Sequence, residues 1–184
     1  MSKKRLQEDI ILETLNQKPD IYGLLSSAIG IISKSINNLM MKAFCKEKHA
    51  IKFVIPSLVG HKGPLNELSV RLKLLYALGV ISREDYEDVE LLIAILDELN
   101  MDKETTYTFI DDEILGPISL LQDMIIPPNL PIKQKGTHEI GIVDSMKSSM
   151  YHQRYQQMIR ASLIIAITNL ATRLNQQQHV RLFS

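Results

Sequence analysis

The sequence has no tryptophan, one cysteine and only 5% aromatic residues. So few rings leave a core of aliphatic and methionine side chains, which favours helices over a β-sheet. Cys45 has no second cysteine with which to form an internal disulfide. No apolar run approaches the roughly twenty residues that cross a bilayer, and no charged start followed by an apolar run marks a secretory signal. These absences predict a cytoplasmic protein that does not enter the membrane.

The motifs of common enzyme classes are also absent. No glycine-rich phosphate loop follows a strand, and no serine lies in a nucleophile elbow. His49 and His61 have no cysteine or ordered carboxylates near them in the sequence, so they do not form a metal-binding pattern. We therefore predict no catalytic residues, no metal, no cofactor and no enzymatic activity.

The charge of the chain is balanced overall but unevenly distributed. A chain of 184 residues suits one domain with a real core. Its net charge is zero, yet residues 82–115 carry two basic residues against twelve acidic ones, whereas residues 1–75 carry twelve against six. Such segregation indicates a partner of opposite charge, or two protomers that pair acidic with basic surfaces.

Two amphipathic helices in residues 63–100 are the clearest feature of the sequence. Gly63 and Pro64 are typical of a helix start, and Gly79 is typical of a left-handed helix end. Ser82 and Asp85 then form an approximate capping box for a second helix. The short junction makes these two helices neighbours.

A helix, a short turn and a helix also occur in DNA-binding proteins, so the charge of the second helix decides between the two readings. From Arg83 to Glu98 there is one basic residue against seven acidic ones. DNA phosphates would repel such a helix, since basic residues supply most of the affinity for DNA. We predict instead a packed helix pair, with Glu84, Glu87 and Asp88 as an acidic surface for a basic partner.

The rest of the chain predicts an all-α fold, a single compact bundle of about seven helices over residues 1–184. Proline and glycine interrupt residues 127–147, where we expect a mobile irregular loop. The last helix is predicted from about Ser148 to Leu174, followed by a frayed tail over residues 175–184. This helix is apolar almost all round between Ala161 and Leu170, which indicates burial between neighbouring helices or in a homodimer interface.

Two further groups of charged residues are candidates for specific roles. Lys3, Lys4 and Arg5 at the amino terminus could contact phosphate, although three terminal charges are more often simply solvated. Arg71 lies beside an apolar stripe and would need an acid if it were buried. We expect a structural ion pair between Arg71 and Asp111 or Asp112.

Three blocks of the sequence resemble the mannitol operon repressor family of bacterial transcriptional regulators. They are residues 63–91, TFIDDEILGPI at 108–118 and RYQQMIR at 154–160, and the similarity extends from about Ile21 to Leu174. The resemblance implies an all-helical regulator of mannitol uptake and use, without an obvious helix-turn-helix, that represses together with partners. It brings no catalytic residues.

The leading hypothesis is therefore a non-enzymatic repressor of the mannitol operon. It could contact operator DNA through its basic ends, or act through protein contacts of the acidic region, which the charge distribution favours. The phosphocarrier protein of the sugar phosphotransferase system is the natural partner in that setting. The alternatives are a helical scaffold protein that does not bind DNA directly and, with less support, a helical sensor of a small ligand.

Overall fold

Helices account for all the regular secondary structure in the part of the chain that the structure describes. This structure is a computed structural model covering residues 3–44, 47–60, 62–102, 104–128 and 142–176, with the backbone alone for residues 3–6 and 142–148. The helices are α1 (Lys3–Asn16), α2 (Ile21–Ala43), α3 (Ile55–Val59), α4 (Leu68–Ala77), α5 (Arg83–Met101), α6 (Asp112–Ile118) and α7 (Ile142–Gln176), and a π-helical turn (Ala50–Val54) precedes α3. The predicted all-α fold is confirmed.

Helices α2 and α7 form the centre of the bundle. Helix α2 packs against α1, α4, α5 and α7, and α7 also contacts α1 and α5. Their inward faces supply the largest share of the core, which is aliphatic as the composition predicts. The buried side chains of these two helices include Leu24, Ile32, Ile36, Leu39, Ile159, Leu163, Ile167, Leu170 and Leu174.

The local signals around α2 and α5 act as their sequences predict. The carboxylate of Asp20 accepts a hydrogen bond from the backbone N–H of Gly23 at 2.6 Å, which caps α2. Gly79 has a φ of 66°, a left-handed conformation that glycine adopts without steric cost. The Ser82 hydroxyl accepts from the backbone N–H of Asp85 at 3.1 Å and caps α5. The chain therefore reverses between α4 and α5 within a few residues.

Two predicted helix starts are wrong. Helix α4 begins at Leu68 and not at Gly63, because the preceding residues form turns in which Gly63 and Leu65 donate backbone hydrogen bonds to the carbonyls of Gly60 and Leu58. Helix α7 begins at Ile142, six residues before the predicted Ser148, since residues 142–147 contain neither proline nor glycine to stop it. The remainder of the predicted loop, apart from Pro127 and Pro128, lies outside the described residues.

The end of α7 also differs from the prediction. The helix continues to Gln176, so the first two residues of the predicted frayed tail are helical, and residues 177–184 lie outside the described ranges. Between Ala161 and Leu170, six side chains are buried within the single chain, whereas Ile165 is 53% exposed. Packing inside one chain accounts for most of this apolar stretch, and the homodimer stays a prediction.

Arg160 explains part of the third sequence block. Its guanidinium donates to the carbonyl oxygens of Asn16 and Lys18 at 2.8 and 2.9 Å. The Asn16 carbonyl ends helix α1 and has no partner within that helix, and Lys18 lies two residues beyond it. A cation is favourable at this end of a helix dipole. Arg160 of this block therefore joins α7 to the carboxyl end of α1.

Candidate partner-binding surface

Helix α5 has two faces of different character. Val89, Leu92, Ile95 and Leu99 are buried in the core. The opposite side carries five carboxylates that are exposed or half-buried, and we call it the acidic face of α5. Its members are Glu84, Glu87, Glu90, Asp97 and Glu98.

The acidic face surrounds a small apolar centre. Ala94 is exposed and Leu91 is half-buried between the two groups of acids. The spacing of residues 84, 87, 91, 94 and 98 places them on one side of a helix. Met101 continues the surface at the carboxyl end and is 87% exposed. Acids around an apolar strip suit a protein partner whose own surface is basic at its edge.

Basic residues neutralise only part of this face. Arg83 donates to Glu87 at 2.6 Å between two exposed side chains, and Lys73 of α4 lies 3.9 Å from Glu90. A hydrogen bond with Glu90 also raises the pKa of Tyr86 to about 12. Among the described residues, no basic side chain forms an ion pair with Glu84, Asp97 or Glu98. The face therefore keeps a negative potential at neutral pH.

Two further acids of α5 point inward, toward Arg173 of α7. The Arg173 guanidinium donates to Asp85 at 2.7 Å and to Asp88 at 3.5 Å, and it also bonds Asp123. The side chains of Asp85 and Asp88 are 4% and 8% exposed. The backbone N–H of Gln122 donates to Asp88 at 3.1 Å. We call these four side chains the Arg173 cluster, and it ties α5 to α7 and to the segment after α6.

The charges of the cluster respond to burial in opposite ways. Desolvation raises the pKa of Asp88, although the Gln122 N–H and Arg173 oppose the shift. Burial by itself would lower the pKa of Arg173, but its hydrogen bonds to Asp85 and Asp123 outweigh that effect and raise it. Arg173 is therefore a cation at neutral pH, and its contacts with the buried carboxylates fix the orientation of α5.

The predicted acidic surface is therefore only partly present. Glu84 and Glu87 are exposed on the acidic face, whereas Asp88 is buried in the Arg173 cluster and is not available to a partner. The prediction missed Glu90 and, about two turns beyond it on the same face, Asp97 and Glu98. Helical spacing was the signal that could have separated these acids from Asp88, since Asp88 aligns with the buried residues Leu92, Ile95 and Leu99.

The predicted ion pair of Arg71 is wrong, although its burial is as expected. Arg71 is 9% exposed, and in the part of the chain that the structure describes its guanidinium bonds only neutral groups, on Ser33, Asn37 and Asn66. Asp111 instead accepts from the backbone N–H of Thr108 at 2.6 Å just before α6. Asp112 is exposed in the first turn of α6, where a negative charge is favourable to the helix dipole.

The predicted phosphate contacts at the amino terminus cannot be placed. The side chains of Lys3, Lys4 and Arg5 lie outside the described residues, and so does Cys45. Among the described residues, no three histidine, cysteine or acidic side chains lie close enough to hold a metal ion. None of the described helices is long and apolar enough to cross a membrane.

A groove lies beside the carboxyl end of α5. It has a volume of about 460 Å³ and is lined by Asp20, Tyr22, Leu99, Asn100, Asp102 and Tyr107, among others. Its polar groups bond one another: the Tyr22 hydroxyl donates to Asn100 and the Tyr107 hydroxyl to Asp102. Hydrogen bonds from Thr105 and Tyr107 lower the pKa of Asp102. These groups hold the segment after α5 in place.

Known proteins resemble the chain along almost its whole length. A family model described as Mannitol repressor matches residues 7–175. The Mannitol operon repressor of Escherichia coli strain K12 is 37% identical over 175 residues, 95% of this chain and 86% of the relative. A protein named Fumarase E, from the same organism, is 23% identical over 171 residues, 89% of this chain and 94% of the relative. The X-ray structure of the MtlR-HPr complex from Escherichia coli superposes with a TM-score of 0.81 at 37% identity, and covers 92% of this chain and 99% of that chain.

Proposed function

The chain belongs to the mannitol repressor family, and we propose that it is a non-enzymatic repressor of a mannitol operon that acts through a protein partner. The identity of 37% along 95% of the chain to a mannitol operon repressor carries this proposal. A repressor works where its operon is transcribed, so the proposal includes a cytoplasmic location. The acidic face of α5 shows how such a protein could act without a DNA-reading helix.

We propose the phosphocarrier protein HPr as the partner. The solved structure that resembles this chain at 37% identity is a complex with HPr. The acidic face offers unpaired carboxylates around Ala94 and Leu91, so it suits a partner with basic residues around an apolar contact. Charge complementarity of this kind chiefly accelerates association.

The Arg173 cluster supports this assignment because it holds α5 in one orientation. Three carboxylates on two segments converge on one guanidinium, and two of them are almost fully buried. A rigid face loses little conformational entropy when a partner binds. The five outward carboxylates of α5 therefore lie on a preorganised surface.

Charge reversal on the acidic face tests the proposal. The variant Glu84→Lys/Glu87→Lys removes two exposed carboxylates and should slow association with HPr by about tenfold or more at low salt, and flatten its salt dependence. The matched control is Asp9→Lys/Glu13→Lys, which reverses two exposed acids on α1, a helix that packs on α2 and α7. Surface plasmon resonance at two salt concentrations measures the association rate of each variant with HPr. Equal loss in the two variants, or none in either, would count against this surface.

Direct contact with operator DNA is the alternative mode of repression. The acidic face would repel DNA phosphates, so such contact would have to use basic residues elsewhere, Lys3, Lys4 and Arg5 among them. Titration of the protein against its mannitol promoter and a scrambled duplex, with and without HPr, separates the two modes. Preferential binding without HPr, with a steep salt dependence, would establish direct readout. Binding to HPr with no effect on transcription would favour a scaffold protein.

The proposal also excludes catalysis by this chain, despite the similarity to Fumarase E. That relative shares 23% identity, and none of the described residues forms a cluster that indicates a particular reaction. Purified protein incubated with fumarate should give no malate above the rate of a heat-denatured sample. Turnover that scales with protein concentration would overturn this part of the proposal.

A further inference from the structure

Arg71 is a buried cation with no anionic partner among the described residues. It is 9% exposed, and its guanidinium donates to Asn37 Oδ1 at 3.4 Å, to Ser33 Oγ at 3.5 Å and to the Asn66 carbonyl at 3.4 Å. All three acceptors are neutral, and all three distances are long for hydrogen bonds of a charged group. The Nε atom is buried and has no hydrogen-bond partner. Desolvation lowers the pKa of Arg71, as expected for a cation that lacks a counter-charge.

The guanidinium lies at the amino terminus of α4. It reaches back to Asn66, two residues before the helix begins. The N-cap residue Glu67 makes no side-chain capping bond, and the backbone N–H groups of the first three helical residues, Leu68 to Val70, have no acceptor among the described residues. Unsatisfied N–H groups and the helix dipole both favour an anion at this end.

Arg173, whose side chain is only partly buried, shows how the chain surrounds an arginine that has a structural role. Three carboxylates surround that guanidinium, whereas the acid nearest to Arg71 in sequence, Glu67, is exposed and makes no contact with it. Burying a cation with only neutral acceptors is destabilising. A bound anion would supply the missing charge.

We propose that Arg71 and the amino terminus of α4 form a binding site for a phosphate-type oxyanion, either free phosphate or the phosphoryl group of a small metabolite. The planar guanidinium presents paired donors that match a tetrahedral oxyanion. Ser33 and Asn37 lie one turn apart on α2 and are half-buried, so they form the wall of the site facing α4. The site uses none of the acidic face of α5 and does not rest on the proposed function.

Phosphate titration of the full chain tests the site directly. The probe is inorganic phosphate at constant ionic strength, followed through the ¹⁵N–¹H signal of Arg71 Nε and through the melting temperature. Saturable shifts in both are expected. Arg71→Met should weaken binding at least about tenfold, because it removes charged hydrogen bonds. The control Lys73→Met removes an exposed cation from the same helix and should change binding by no more than about twofold.

A second variant keeps the test decisive if Arg71→Met does not fold. Glu67→Gln removes the carboxylate of the N-cap residue and should tighten phosphate binding several-fold, since that charge would no longer repel an anion. If Glu67 is instead the solution partner of Arg71, the variant will lower the melting temperature and phosphate will shift neither signal, which overturns the proposal. An adventitious ion only would give the same weak, non-saturating response in wild type, Arg71→Met and Lys73→Met.

The two sources of the phosphoryl group are separated in the same titration. Mannitol 1-phosphate, mannitol and inorganic phosphate are compared at equal concentration. Tighter binding of the sugar phosphate identifies a metabolite site, and equal binding of the two phosphates identifies a site for free phosphate. Mannitol alone should not shift the Arg71 Nε signal, and a shift with mannitol that phosphate does not produce would overturn the assignment.

Discussion

Replacement of Arg173 by methionine would remove the only cation of the Arg173 cluster and leave three carboxylates together. Two of them are almost fully buried, at 4% and 8% side-chain exposure. Breaking a buried ion pair by removing one partner costs about 3–5 kcal/mol, because the remaining charge stays desolvated. The exposed pair of Arg83 and Glu87, with side chains 72% and 55% exposed, contributes only about 0–1 kcal/mol. We therefore expect Arg173→Met to lower the free energy of unfolding several times more than Arg83→Met.

Urea denaturation followed by circular dichroism measures the free energy of unfolding of both variants. The dependence of this free energy on pH gives an internal check. Without Arg173, the folded carboxylates repel one another and take up protons more readily than in the unfolded chain. The folded variant then binds more protons, so its stability falls as pH rises through the acidic range. The difference between wild type and Arg173→Met should be smaller at about pH 4.5 than at about pH 7.5. A pH-independent difference, or a loss no larger than that of Arg83→Met, would refute this account of the cluster.

Two further predictions concern the same helix. Ser82→Ala removes the hydroxyl that accepts from the Asp85 N–H and should lower the free energy of unfolding by about 1 kcal/mol, whereas Ser82→Asp should retain most of it; an unchanged urea midpoint for Ser82→Ala would contradict the cap. Asp88→Asn removes a desolvated charge but keeps an oxygen for the Gln122 N–H, so its cost should be smaller than that of Arg173→Met. Because burial raises the pKa of Asp88 in the folded state, wild type should lose stability relative to Asp88→Asn as pH rises above about 4. A difference that moves in the opposite direction in a pH series of urea melts would show that Arg173 outweighs desolvation at this carboxyl.

The sequence predicted the features that depend on neighbouring residues. The all-α class, the Asp20 and Ser82 caps and the left-handed Gly79 all follow from residues within one or two turns of each other. Helical periodicity likewise indicated that the two helices in residues 63–100 are amphipathic. Two errors of the sequence prediction lie at helix boundaries. Turn hydrogen bonds occupy the residues before Leu68, so α4 begins there, and α7 begins at Ile142 because its first turns contain no proline or glycine.

The side-chain environments of Arg71 and Arg173 could be decided only by the tertiary structure. Arg173 meets Asp85, Asp88 and Asp123, which are 88, 85 and 50 residues away in sequence, so no local pattern reveals that these carboxylates meet Arg173. Arg71 was expected to pair with Asp111 or Asp112, yet its neighbours are polar groups of α2 and the turn before α4. The cost of desolvation means that a buried charge needs a partner, but the packing of the helices determines which partner lies within reach. The sequence by itself determined the helices and their polarity, and only their packing brought Arg173 to the carboxylates that hold α5 in place.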